Sequence, residues 1–195
     1  IVTVFAVLLD PPRPGLVLQD VYSTSPLNPE EAATLYAAMA KDTVRAVADS
    51  GGELLVNYRT EADIPEQYRT NTPVKEEIES LVTQAIDDPD IARFEKQVGS
   101  TFASRVGNTV THLLTEEAAD SVGVLDGKSP TLVRQTLDSA AMKIRHHNAV
   151  IAPGINGDWS YLAFTEPIDF TNIFEPPALV TIVNKIVEED YSVDF

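Results

Sequence analysis

Cysteine is absent from the 195 residues. That excludes a disulfide framework, a thiolate metal site and a thiol nucleophile. Basic residues are scarce: 14 Lys and Arg, only six of them Lys, stand against 30 Asp and Glu, giving a formal charge of −16. Clustered Lys and Arg are what hold a phosphate backbone, so nucleic acid is not an expected partner. Long apolar runs are missing too. The β-branched and apolar stretch Ile1 to Leu9 is too short to span a bilayer. It has neither the basic flank nor the small-residue cleavage site of a signal peptide. The expectations are no membrane span and a cytoplasmic location.

A charge of −16 opposes compaction by self-repulsion unless salt screens it. The Debye length is about 8 Å at ~0.15 M salt and about 3 Å at ~1 M. The acids are dispersed along the chain, not gathered in a tail. This pattern resembles salt-adapted cytosolic proteins, such as those of haloarchaea. The other reading is an acidic protein with a basic partner.

What is present is an alternation of strand-like and helix-like segments. Ile1–Leu9 is apolar on both faces, as in a covered parallel sheet, and Pro11, Pro12, Pro14 and Gly15 end it. Asn28-Pro29-Glu30-Glu31 marks a helix start, with Asn as cap, Pro at the first position and acids in the first turn. That helix runs to about Asp49, its buried stripe formed by Ala32, Leu35, Tyr36, Met39, Val44 and Val47. Further strands are expected over 53–59, 91–98, 119–125, 148–152 and 159–164, with an edge strand at 191–195. Further helices are expected from Thr72-Pro73, Ser100, Ser129-Pro130 and Pro177. No repeat or linker appears, so residues 1–195 form a single expected domain. In such a sheet ligands bind at the carboxyl ends of the strands. The loops of interest are therefore 10–28, 126–130 and 152–159.

Those loops carry three recognisable segments: Asp10-Pro11-Pro12-Arg13-Pro14-Gly15 with Pro29-Glu30-Glu31-Ala32-Ala33 after it, Asp126-Gly127-Lys128-Ser129-Pro130-Thr131-Leu132, and Pro153-Gly154-Ile155-Asn156-Gly157-Asp158-Trp159. In order and spacing they resemble a glycosyltransferase-like family of the nucleotide-diphospho-sugar transferase superfamily, the radical-SAM/selenodomain-associated transferase type. The resemblance implies an α/β fold of the Rossmann-like glycosyltransferase-A type, a three-layer α/β/α sandwich with a mainly parallel sheet. It also implies a nucleotide or nucleotide sugar as the small-molecule partner. The cleft candidates are Asp10, Pro12, Arg13, Pro14, Gly15, Lys128, Ser129, Asn156 and Gly157.

The departures from the family matter as much. Where the family has loop cations suited to phosphates, this chain has Asp10, Leu18 and Asp20, with Arg13 the remaining cation nearby. Where the family has aspartates suited to Mg²⁺ or Mn²⁺, it has Lys128 and Asn156. An ammonium repels a divalent ion, and Asp10 and Asp20 repel a polyphosphate. The expectation is a binding or regulatory relative without metal-dependent catalysis, with no metal cofactor and no assigned catalytic residue. The alternative is an active glycosyltransferase or nucleotidyltransferase. In that case Mg²⁺ or Mn²⁺ would be held by Asp126 and Asp158 after a loop rearrangement, with Lys128 on a phosphate.

Other motifs carry less. Gly127-Lys128-Ser129 imitates the end of a phosphate-binding P-loop, but Val122 stands where that motif needs glycine. His146 and His147 are adjacent and have no partner at metal-ligand spacing. Lys143, Arg145 and His146 instead suit a helix carbonyl end. No Gly-x-Ser-x-Gly elbow is present. Trp159 and Tyr161 serve as strand packing or as a wall beside a base or sugar.

Overall fold

The computed structural model describes residues 2–195; Ile1, placed in the first strand by its sequence, lies outside them. Seven strands make one sheet: β1 (Thr3–Leu9), β2 (Glu53–Tyr58), β3 (Ala92–Lys96), β4 (Ser121–Asp126), β5 (Ala149–Pro153), β6 (Trp159–Phe164) and β7 (Val193–Asp194). Their order is β3-β2-β1-β4-β6-β5-β7. All neighbours are parallel except at β6, which runs antiparallel to both β4 and β5. Among the described residues six α-helices accompany them, besides short 3-10 turns: α1 (Gln19–Thr24), α2 (Pro29–Ala48), α3 (Val74–Ala85), α4 (Phe102–Thr115), α5 (Arg134–Lys143) and α6 (Ala178–Glu188). Among the described residues no helix is long and apolar enough to cross a membrane.

β1 is buried throughout, and its side chains split between two cores. Phe5, Val7 and Leu9 face α2, α3 and α5; Val4, Ala6 and Leu8 face α4 and α6. That division follows from the two-residue period of a strand and makes the three layers. The double-sided burial expected from the unbroken apolar run is what the sheet centre has.

The start of α2 follows from its cap. Asn28 Oδ1 accepts from the Glu31 N–H at 2.8 Å, and Glu31 Oε2 accepts from the Asn28 N–H at 3.0 Å. The two satisfy backbone donors that a helix leaves orphaned. The buried face of α2 differs in membership from the expected stripe: Ala32, Ala33, Tyr36, Ala40, Thr43, Val44 and Val47. Leu35 is exposed instead and Met39 half-buried.

Two further elements differ from expectation. Ser129-Pro130 does not open α5: the Leu132 N–H bonds to the Ser129 carbonyl at 3.1 Å, closing a turn that sends Leu132 into the core. The helix begins only at Arg134. The loop after β1 contains α1, whose preceding residue, Leu18, sits at φ 52°.

Candidate functional site

The carboxyl ends of β1 and β4 open onto a cavity of about 420 Å³, walled by Asp10, Asp20, Tyr36, Arg105, Asp126 and Lys128. α2 fixes both loops that form its floor. The Tyr36 hydroxyl accepts from the Asp10 N–H at 2.9 Å, and the Thr43 hydroxyl donates to the Gly127 carbonyl at 3.3 Å. Residues 36 and 43 are two helical turns apart and share a face. Gly127 is required where it stands, because a Cβ there would lie 2.3 Å from Leu9 Cδ2 and 3.0 Å from the Leu8 carbonyl oxygen. The Gly127 N–H continues the ladder to that same carbonyl at 3.0 Å, so the chain leaves β4 tight against β1.

The charges in the cavity are coupled. Lys128 Nζ stands 3.9 Å from Asp126 Oδ2, and Asp126 Oδ1 also accepts from the Lys128 N–H at 3.2 Å. Arg59 Nη1 is 3.9 Å from Asp10 Oδ1. Burial raises the Asp10 carboxyl above its ordinary pKa, and the charges of Arg59, Arg105 and Lys128 offset only part of that. Burial likewise raises Asp126; Lys128 lowers it, and the negative charges of Asp10 and Asp158 add to the rise. Tyr36, fully enclosed and near both carboxylates, is pushed well above its usual value.

Arg105 is a site residue that sequence reading did not find. Its Nε donates to Gln97 Oε1 at 3.0 Å. Gln97 is buried and donates to the Asn57 carbonyl at 2.9 Å, and Thr109 donates to Asn57 Oδ1 at 3.0 Å. A chain of buried amides thus holds one guanidinium at the cavity wall. Burial lowers its pKa, with the positive charge of Arg59 acting in the same direction. The signal in the sequence was Asn57 and Gln97, polar residues at buried positions on and beside strands.

The other predicted residues lie differently. Arg13 does not face the cavity. Its side chain is 5% exposed and reaches Glu61 at 2.7 Å, Glu77 at 3.0 Å and the carbonyls of Tyr68 and Thr72, each at 3.1 Å. Pro12 lies against α3 near Glu76 and Glu77. Pro14 is exposed. Gly15, at φ 82°, packs under the Tyr68 ring. Ser129 is buried in its turn. Asn156 (φ 59°) and Gly157 (φ 79°) shape an exposed turn between β5 and β6, outside the cavity wall. Asp10, Asp20 and Lys128 are therefore brought together, while Asn156 is apart from them. Asp158 is close enough to act electrostatically on Asp126.

The two aromatic candidates of β6 divide by face. Trp159 joins Phe102 and Phe174 in a cluster of three rings, with Phe174 5.2 Å from each of the other two and Trp159 6.5 Å from Phe102; Tyr161 is buried beside Phe5. Phe102 also forms part of the cavity wall.

The cavity fits a divalent ion poorly. Among the described residues no group of three or more His, Asp or Glu is gathered closely enough to hold one. The carboxylate best placed for the task, Asp126, already has an ammonium beside it. Hard cations need several oxygens at about 2.0–2.6 Å.

Residues 70–176 match the family described as "uncharacterized protein conserved in bacteria" (DUF2064). The chain belongs to this family. The DUF2064 match takes in Arg105, Asp126, Lys128 and the 153–159 turn, and it begins after the loop that carries Asp10 and Arg13. No curated protein matches the sequence significantly. Solved structures do match. A proposed nucleotide-diphospho-sugar transferase from Desulfovibrio desulfuricans has a TM-score of 0.80 at 16% identity, over 99% of this chain and 79% of that one. A 4-diphosphocytidyl-2C-methyl-D-erythritol synthase from Anaerococcus prevotii has 0.53 at 11%, over 99% and 86%. A CMP:2-keto-3-deoxy-manno-octonic acid synthetase complexed with CTP has 0.53 at 9%, over 100% and 89%. At these identities the likeness establishes the fold: mixed α/β with a mostly parallel seven-stranded sheet, of the Rossmann-like nucleotide-diphospho-sugar transferase type.

Proposed function

We propose that this DUF2064 protein binds a nucleotide or nucleotide sugar in the cavity at the ends of β1 and β4, and does so without metal-dependent transfer. The observation that carries this reading is the Lys128 ammonium 3.9 Å from Asp126, inside the cavity wall. A metal bound there would have to displace that ammonium. Lys128 and Arg105 supply the positive charge a phosphate needs, and Arg105 is held in place before any ligand arrives. Their fold relative solved with CTP supports a nucleotide as the ligand class. Burial works in the same direction, because raised carboxyl pKa values make Asp10 and Asp126 easier to neutralise beside an anion.

Calorimetric titration with guanine, uridine and cytidine nucleotides and their sugar conjugates, in ~1 M salt to screen the −16 charge, tests the proposal. Binding that is unchanged by Mn²⁺ supports it. Turnover of a nucleotide sugar that requires Mg²⁺ or Mn²⁺ overturns the non-catalytic half, and silence with every nucleotide overturns the binding half.

One observation favours the second reading, an active glycosyl- or nucleotidyltransferase: Asp158 lies within electrostatic reach of Asp126. Those two carboxylates would hold the Mg²⁺ or Mn²⁺, which would stabilise charge on the phosphates. Lys128 would then leave Asp126 for a phosphate oxygen.

A further inference from the structure

Among the described residues β3 ends the sheet, pairing with β2 on one side and with no strand on the other. A free edge is a template for another strand unless something blunts it. Two usual devices are absent from Ala92-Arg93-Phe94-Glu95-Lys96: it holds no proline and its pairing with β2 has no bulge. Its charges, Arg93, Glu95 and Lys96, are of both signs and so block some pairings and favour others, and its two ends are flanked by exposed apolar residues, Ile91 at 49% and Val98 at 56%. The backbone direction of each residue follows from one bond. The Gln97 N–H donates to the Tyr58 carbonyl at 2.7 Å, so residues 93, 95 and 97 turn their backbone groups toward β2. Phe94 and Lys96 turn theirs outward. Ala92 does the same, but its N–H is taken by the Pro89 carbonyl, leaving its own carbonyl free.

We propose that this edge pairs with β3 of a second copy of the chain, antiparallel and centred on Phe94, to make one continuous sheet. The charges select that register. Centred on Phe94, Arg93 stands opposite Glu95 of the second copy, and Glu95 opposite its Arg93. Moving the centre to Arg93 or to Glu95 sets like charges face to face, which is unfavourable across a strand pair. Pairings centred between residues would set opposite faces of the sheet together. In the chosen register the backbone groups also match. Phe94 exchanges both of its bonds with Phe94 of the second copy, and each Lys96 N–H donates to the free Ala92 carbonyl opposite. The two Phe94 rings meet on the α3 face as a cross-strand aromatic pair. On the α4 face Arg93, already bridging Glu95 at 2.8 Å and Glu117 at 2.9 Å, joins an alternating quartet of charges. The Ile91 end of each strand comes to the Val98 end of the other.

Two chains of charge −16 repel at long range, so the association belongs in concentrated salt. At ~1 M the Debye length of about 3 Å removes that long-range repulsion, while charge pairs in direct contact, at about one Debye length, are weakened without being lost.

The test is light-scattering mass measurement after size exclusion, with sedimentation equilibrium, in ~1 M KCl. The wild type is expected at twice the chain mass. Arg93→Glu places acid against acid and is expected to weaken the dimer at least about tenfold. The double swap Arg93→Glu with Glu95→Arg restores opposite charges and is expected to recover it. Both variants lose the Arg93–Glu117 pair, so its cost to folding cancels between them. Lys96→Pro removes an outward donor without touching a bond to β2, and is expected to give a monomer whose melting temperature does not depend on concentration and equals that of the wild type diluted until it is monomeric. Amide exchange gives a readout without any variant: the Phe94 and Lys96 N–H groups should slow as concentration rises, while that of Glu95 stays constant. A wild type that remains monomeric at millimolar concentration, a double swap no more associated than the single, or Phe94 and Lys96 exchange independent of concentration overturns the pairing.

Discussion

Asp10 and Arg13 are three residues apart in one loop and belong to opposite kinds of charge cluster. Arg13 is saturated: two carboxylates and two carbonyls converge on a guanidinium that solvent scarcely reaches. Asp10 faces a cavity with its nearest cation, Arg59, 3.9 Å away and its pKa raised by burial. In the first cluster every partner is supplied by the chain. In the second, charge is gathered and left incompletely paired, which is the usual mark of a site built to receive something else. The sequence places both in the cleft, because nothing in residue type or spacing separates them.

The largest expected effect comes from breaking the saturated cluster. Arg13→Ala leaves Glu61, Glu77 and the Tyr68 and Thr72 carbonyls without their shared donor, and should cost about 3 kcal/mol of stability. Urea unfolding at neutral pH in ~1 M salt measures it. The same variant should keep the wild-type affinity for any ligand of the cavity once it is folded. The pH dependence has a definite sign. Hydrogen bonding to Arg13 holds Glu61 below its ordinary pKa, so its contribution is present above the unfolded value and fades as pH falls through the folded one. Arg13→Ala should therefore flatten the acid limb of the stability profile. An unchanged limb would mean that the cluster is not structural.

The open cluster should respond with the opposite sign. Asp10 and Asp126 hold their protons more tightly folded than unfolded. Their favourable contribution is complete below the unfolded pKa and is lost as pH rises through the folded one, so at neutral pH each carboxylate is a net cost. Asp126→Asn keeps an oxygen to accept the Lys128 N–H and removes the half-buried charge. It should stabilise the chain by about 1 kcal/mol at pH 7, and the gain should shrink toward zero near pH 4. Chemical denaturation at the two pH values is sufficient to show this. A loss of stability at pH 7 would place Asp126 with Arg13, among the groups that hold the fold.

What the sequence made legible divides along the same line. The capping box at Asn28, the alternation of β1 and the strand-helix order depend on neighbours a few residues away, and they were readable. The direction of a side chain in a coil segment has no period to reveal it. Hence Asp10 and Arg13 could not be told apart, and Asn156, grouped with Lys128 by motif, sits on a separate turn. Arg105 reaches the cavity through Gln97, Asn57 and Thr109, contacts that span up to 52 residues of sequence. No local pattern contains such a relay. The false helix start at Ser129-Pro130 has a similar cause: a good local cap lost to the burial of Leu132.

The smallest expected change in stability is also the one that separates the two clusters most sharply. Lys128 is 55% exposed and 3.9 Å from Asp126, a geometry in which an ion pair contributes under about 0.5 kcal/mol. Lys128→Met keeps the apolar stem and removes the charge, so unfolding should move by no more than that. Affinity for a nucleotide ligand should nevertheless fall about tenfold, since a charge-assisted contact to a phosphate is worth roughly 1.5 kcal/mol or more. Arg13 would then be a cation that the fold needs and the ligand ignores, and Lys128 the reverse. The comparison fails if Lys128→Met unfolds the chain as readily as Arg13→Ala does, or if the ligand binds both variants alike.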